Sequence, residues 1–328
     1  MSKKLSLFVV TLFTLFSIVT PVRIKAQDQK KVMTTFYPVY FLAEKIAGDK
    51  MDVSMLLDQG QGAHDYESTA KDIVKVQESD LFIYQDDEME FFVADILDSL
   101  DQEKTNVLES TKDIELLAGS DHSAHNHEEE HAHEGEEEHA HEGEEEHKHD
   151  HEGHNHEFDP HTWLAPKVYA QQAENVKNAM IEIDPENKET YETNAETLIE
   201  KLNALDKEYS STLESLENRT MVVQHAAFGY LTHAYDLEQV AITGLNTTKE
   251  PSAQVIAEMQ KFMEDKGNKV IFVDPAISST ISETVAEATG AKLLSLRTLE
   301  VVTQEEMKSG MDYLSIMKEN LEQLSQNQ

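Results

Sequence analysis

Cysteine is absent from all 328 residues, which excludes disulfides, thiolate metal sites and cysteine nucleophiles together. Any metal held here must be held by imidazole and carboxylate. Positive charge is scarce: 27 Lys and Arg stand against 64 Asp and Glu, a formal net charge of −37. Such a surface repels nucleic acid and anionic lipid and gathers cations. The sequence has no Gly-rich phosphate loop, and no His-Glu-x-x-His pair lies outside one histidine-rich stretch, so neither nucleotide hydrolysis nor a helix-borne metalloprotease site is indicated. What remains is ample for folding. A hydrophobic share of 39% and an aromatic share of 7% suit packed cores, and the length suits two domains.

Apolar runs long enough to meet a membrane are confined to the N-terminus. Lys3 and Lys4 precede a run from Leu5 to Val19, followed by Thr20, Pro21, Arg23 and a small residue at Ala26. A basic start, about 15 apolar residues and a small-residue exit make a secretory signal over residues 1–26. A membrane anchor needs about 20 apolar residues, and this run ends too soon. Without cysteine, the lipid anchor of bacterial lipoproteins is not expected either. The expected location is periplasmic or extracellular at the cell surface.

Composition shifts sharply between Asp121 and Glu157, a stretch with 12 of the 16 histidines and 15 acidic residues. It offers almost nothing apolar to bury and is expected to be a mobile loop inserted into a domain. Its carboxylates would attract cations and its mostly neutral histidines would chelate them loosely.

Elsewhere strands and helices alternate. Strands are expected at 31–36, 53–57 and 81–84, with helices at 39–47 and 69–77. A second series has strands at 220–224, 240–242, 269–273 and 292–296, with helices at 252–265, 279–288 and 303–324. Alternation of this kind predicts α/β layers with largely parallel sheets flanked by helices. Between the series, Leu198, Leu202, Leu205, Tyr209, Leu213 and Leu216 recur at spacings of three and four, one apolar stripe on a helix. No glycine or proline interrupts residues 188–217, enough for a helix of about 45 Å. The expected organisation is an N-terminal lobe at 27–187, a rigid bridging helix at 188–217 and a C-terminal lobe at 218–328. Ligands of such sheets bind beyond the carboxyl ends of the strands.

Four histidines lie outside the rich stretch: His64, His161, His225 and His233. His64 follows a strand through a turn containing Gly60 and Gly62, His161 follows Pro160, and His225 follows the strand at 220–224. His233 falls on a helical stretch and is expected to be a surface or packing residue. Singly, a histidine at a strand end is more often hydrogen-bonded structure than a metal ligand.

The words around the other three are more specific. Gly62-Ala-His-Asp-Tyr-Glu67, Asp159-Pro-His-Thr-Trp-Leu164 and His225-Ala-Ala-Phe-Gly-Tyr230 together resemble the cluster A-I (cluster 9) solute-binding proteins of ABC transporters, the zinc and manganese receptors. The resemblance runs over residues 31–325. Glu250-Pro-Ser252, the long helix and the histidine-rich insertion resemble the zinc branch. Ala63 stands where that family usually has proline, and Ala226 where an acidic residue is common. The resemblance implies metal ligands at His64, His161 and His225, with a fourth, carboxylate ligand just past the last strand at Glu300. Asp274 and Glu283 are rival carboxylates. It also implies a monomer that carries Zn2+ as transported ligand to a permease driven by a cytoplasmic ATPase. Three imidazoles and a carboxylate suit tetrahedral zinc. The alternatives are a manganese receptor of the same family, a secreted zinc-dependent hydrolase, and a plain metal buffer or adhesin.

Overall fold

The computed structural model describes residues 29–57, 61–101, 103–119, 157–245, 253–278 and 280–327. The expected signal segment, nearly all of the histidine-rich insertion and Glu250-Pro-Ser252 lie outside the described residues. No helix among them is long and apolar enough to cross a membrane.

The first half alternates β1 (Lys30–Thr34), α1 (Tyr37–Ala47), β2 (Met51–Met55), α2 (Ala70–Gln77), β3 (Leu81–Tyr84), α3 (Val93–Ser99) and β4 (Asn106–Glu109). These strands form a fully parallel sheet in the order β2-β1-β3-β4. Next come α4 (Pro166–Ile183) and α5 (Lys188–Leu213). The second half runs β5 (Thr220–His225), α6 (Gly229–Ala234), β6 (Glu238–Thr243), α7 (Ala253–Lys266), β7 (Val270–Val273), α8 (Thr280–Thr289), β8 (Lys292–Ser295), α9 (Gln304–Lys308) and α10 (Tyr313–Leu324). Its parallel sheet, β6-β5-β7-β8, repeats the strand order of the first. Two parallel sheets flanked by helices, with one long helix between them, agree with the architecture expected from the alternation.

The apolar stripe of α5 is buried at Tyr191, Ala195, Leu198, Leu202, Leu205, Tyr209 and Leu213, against α4, α1 and α10. Each fully buried leucine contributes about 1.5–3 kcal/mol. Two phenols fix the helix along its length. Tyr191 donates to Asp184 Oδ2 (2.6 Å), and Tyr209 donates to the Met317 carbonyl (2.6 Å). Leu216, expected on the same stripe, lies beyond the end of α5. One continuous apolar cluster runs from Val32 and Phe82 in the first half to Leu294 and Tyr313 in the second, so the halves share a core.

Some expectations differ from the structure. The helix expected over 303–324 is two helices. Gly310 takes a left-handed φ of 92°, which glycine permits at little cost, and Asp312 and Ser315 form a capping box that starts α10 afresh. Both α3 and β4 went unforeseen. The histidine-rich insertion leaves and returns at one place: Ala118 pairs with Phe158, Asp159 N–H donates to the Leu117 carbonyl (2.9 Å), and Gly119 N–H donates to that of Glu157 (2.8 Å).

Candidate metal centre

His225 is the last residue of β5, paired with Thr243 at the end of β6. Its Nδ1 lies 3.0 Å from the Gly244 carbonyl. A carbonyl can only accept, so Nδ1 carries a proton and Nε2 is the nitrogen that faces the cluster.

His161 precedes a single 3-10 turn, Thr162–Leu164. Gln85, just past β3, holds that turn by donating to the Pro160 carbonyl (2.9 Å) and to Thr162 Oγ1 (2.7 Å). The ring is fixed by Asp159, whose Oδ1 accepts both the His161 backbone N–H (3.0 Å) and Nδ1–H (2.8 Å). Again Nε2 is the nitrogen turned to the cluster.

His64 lies on the loop after β2. Two residues on, Tyr66 stacks edge-on against Phe92 and donates to Asp72 Oδ2 at 2.7 Å, which ties the loop to the start of α2.

Glu300 ends a tightly braced segment after β8. Asn320 accepts from the Arg297 N–H (2.9 Å) and donates to the Arg297 carbonyl (2.8 Å). Asp274 Oδ2 accepts the Thr298 N–H (2.7 Å) and hydroxyl (2.8 Å). The Trp163 indole N–H reaches the Thr298 carbonyl across the halves at 2.7 Å. Leu299 then adopts φ 62°, a conformation that costs a side-chain-bearing residue about 1–2 kcal/mol. The strain directs Glu300 inward.

The four side chains meet. His64 Nε2 is 3.3 Å from His161 Nε2 and 3.9 Å from Glu300 Oε2. Glu300 Oε1 is 3.5 Å from His161 Nε2 and 3.3 Å from His225 Nε2. One donor atom from each residue lies within 4.8 Å of all the others, the one such group found among the described residues. Donors on a zinc tetrahedron with bonds of about 2.0–2.1 Å are about 3.3 Å apart, so the spacing fits. His161 is 0% exposed, His225 2% and Glu300 6%. Burial would lower the basicity of His161, but hydrogen bonds from its ring to Asp159 and Glu300 outweigh this and raise it to about 9. Burial likewise opposes ionisation of Glu300, yet His161 and His225 hold its carboxyl well below the usual range. The metal-free cluster is therefore a proton-bearing assembly, and a cation entering it displaces protons.

The rival carboxylates have other places. Asp274 braces Thr298, and Glu283 is exposed on the first turn of α8. His233 is exposed on α6, as expected. The orienting contacts of Asp159 and Gly244 were not foreseen. For Asp159 the only signal was its place two residues before His161, and a backbone carbonyl gives none.

Comparison with known proteins finds zinc-binding relatives. The family described as "Zinc-uptake complex component A periplasmic" (ZnuA) matches residues 32–327. The zinc-binding protein AdcA of Streptococcus pyogenes is 40% identical over 326 residues, 99% of this chain and 61% of that protein. This chain thus spans about three fifths of the AdcA relatives it matches. The high-affinity zinc uptake system protein ZnuA of Bacillus subtilis is 39% identical over 297 residues, 90% of this chain and 87% of the relative. Among solved structures, the Zn(II)-bound ZnuA-like domain of Streptococcus pneumoniae AdcA superposes with a TM-score of 0.74 at 34% identity, covering 91% of this chain and 98% of that one.

Proposed function

The chain belongs to the ZnuA family, the periplasmic component A of zinc-uptake complexes, and we propose on that basis that it is the zinc receptor of an ABC importer. It would capture Zn2+ outside the cytoplasm and deliver it to a permease driven by a cytoplasmic ATPase, acting as a monomer. Zinc is the cargo, and its ligands are His64, His161, His225 and Glu300. The single observation that carries this reading is the buried convergence of three imidazole nitrogens and one carboxylate at tetrahedral spacing.

Three nitrogens shift preference from manganese toward zinc. A fourth protein ligand completes the tetrahedron and leaves no position for an activated water, which catalytic zinc keeps open. The function is therefore carriage and not hydrolysis. The functional division follows the same logic: residues 27–187 supply His64 and His161, residues 218–328 supply His225 and Glu300, and residues 188–217 join them. Export by a signal cleaved near Ala26 would place the receptor where zinc is collected.

The test is competitive titration of the apoprotein with Zn2+ and Mn2+, repeated on His225→Glu. One tight zinc per chain is expected in the parent, and the variant should shift its preference toward manganese. Tight zinc binding that survives both His161→Ala and Glu300→Ala would overturn the reading.

A further inference from the structure

Of the two oxygens of Asp159, only Oδ1 is engaged with His161. The other, Oδ2, lies against the backbone of Gly229, the first residue of α6. A Cβ placed on Gly229 would stand 2.1 Å from Oδ2 and 3.3 Å from Cγ of Asp159, far inside van der Waals contact. Gly229 is not among the residues with positive φ, so its backbone does not call for glycine. The requirement is space.

We propose that Gly229 is a positioning residue for the metal cluster: by carrying no side chain, it admits the Asp159 carboxylate that orients His161. The inference rests on the zinc-receptor reading and adds to it a residue that touches no ligand atom. Gly229 comes four residues after His225, on the turn that leads out of β5. That turn is fixed where Phe228 N–H donates to Gln239 Oε1 at 2.7 Å and Thr232 Oγ1 donates to the Phe228 and Gly229 carbonyls at 3.0 Å each. One turn of the second half therefore presents His225 and also seats the carboxylate behind His161, which belongs to the first half. The halves are registered to one another at the point where the donors must meet.

A cavity of about 530 Å3 adjoins this contact, lined in part by Asp159, Gly229, Thr232, His233 and Gln239. It gives the carboxylate room to swing aside, so Gly229→Ala should fold with Asp159 displaced and the His161 ring no longer held.

The experiment compares parent, Gly229→Ala, Asp159→Ala and the double variant. Zinc affinity is measured by chelator competition, apoprotein melting by calorimetry, and the His161 Nδ1–H resonance by NMR on 15N-histidine-labelled apoprotein. Each single variant should bind zinc about 10–100-fold more weakly, the loss typical of removing an orienting partner. The double variant should bind no worse than Asp159→Ala, because the added methyl then meets nothing. The protected Nδ1–H resonance should be present in the parent and lost in Gly229→Ala. Parent-like affinity and resonance in Gly229→Ala, or losses that multiply in the double variant, would overturn the proposal. A parent that binds no zinc at the cluster would overturn the receptor reading instead, and the Nδ1–H comparison would still decide the role of Gly229.

Discussion

Asp274→Ala separates a brace from a ligand. Asp274 is 5% exposed, and its carboxylate accepts three bonds: Thr298 N–H at 2.7 Å, Thr298 Oγ1 at 2.8 Å and Ala276 N–H at 2.8 Å. After truncation, Ala276 is exposed and its N–H can turn to water. Thr298 is 1% exposed, so its N–H is left buried without an acceptor, at a cost of about 1–3 kcal/mol. Burial already pushes the Asp274 carboxyl above its ordinary range despite these bonds, so removing the charge returns part of that cost. A net loss of about 2 kcal/mol is expected, or roughly 3 °C in melting temperature for a chain of this size. Zinc affinity should fall by about tenfold, because the segment carrying Glu300 loosens while all four donors remain, at the lower end of the range for outer partners. The assay pairs calorimetric melting of the apoprotein with chelator-competition titration. If the apoprotein melts like the parent while tight zinc binding disappears, Asp274 is a ligand and the brace argument fails.

Two further outcomes are expected. Asp72→Asn removes the carboxylate that accepts from Thr69 and Tyr66; burial alone would raise its pKa, but these bonds and that of Lys75 lower it to about 2. A depressed carboxyl stabilises the fold above its unfolded value of about 3.9, and that stability is lost as pH falls through about 2. The variant should therefore melt below the parent at neutral pH, by about 1–2 kcal/mol, and the gap should close between pH 4 and 2; a pH-independent gap would contradict this account. Deleting residues 122–156 should leave one tight zinc site and remove only weaker equivalents in a titration. Loss of the tight site would show that the insertion supplies ligands.

Much of the architecture was legible because its signals are periodic. Alternating apolar runs gave both parallel sheets, and the three-four spacing of Leu198 to Leu213 gave α5. The elements that escaped notice lack such signals. The seven residues of α3 start after Phe92 with no side-chain cap, and β4 is four residues with none fully buried. The break at Gly310 was masked by helical periodicity on both sides. Around the site, the local words drew attention to His64, His161 and His225, and the resemblance they carry implied Glu300, with Asp274 and Glu283 left as rivals. Supporting groups such as Asp274 and the Gly244 carbonyl were not legible, since each acts on a neighbour distant in sequence. Asp274 meets Thr298 only after β7 and β8 pair. Leu299 gives no hint of its left-handed backbone, because leucine rarely marks one.

Trp163 is the sole tryptophan of the chain. It is wholly buried, its indole is bonded to the Thr298 carbonyl, and its own carbonyl accepts from Tyr313. Its ring centre lies 5.2 Å from that of His161. With no second indole to dilute the signal, selectively excited indole emission from the native protein comes from a single point beside the proposed zinc cluster. The arrival and departure of an ion can thus be timed by stopped flow, without attaching a dye.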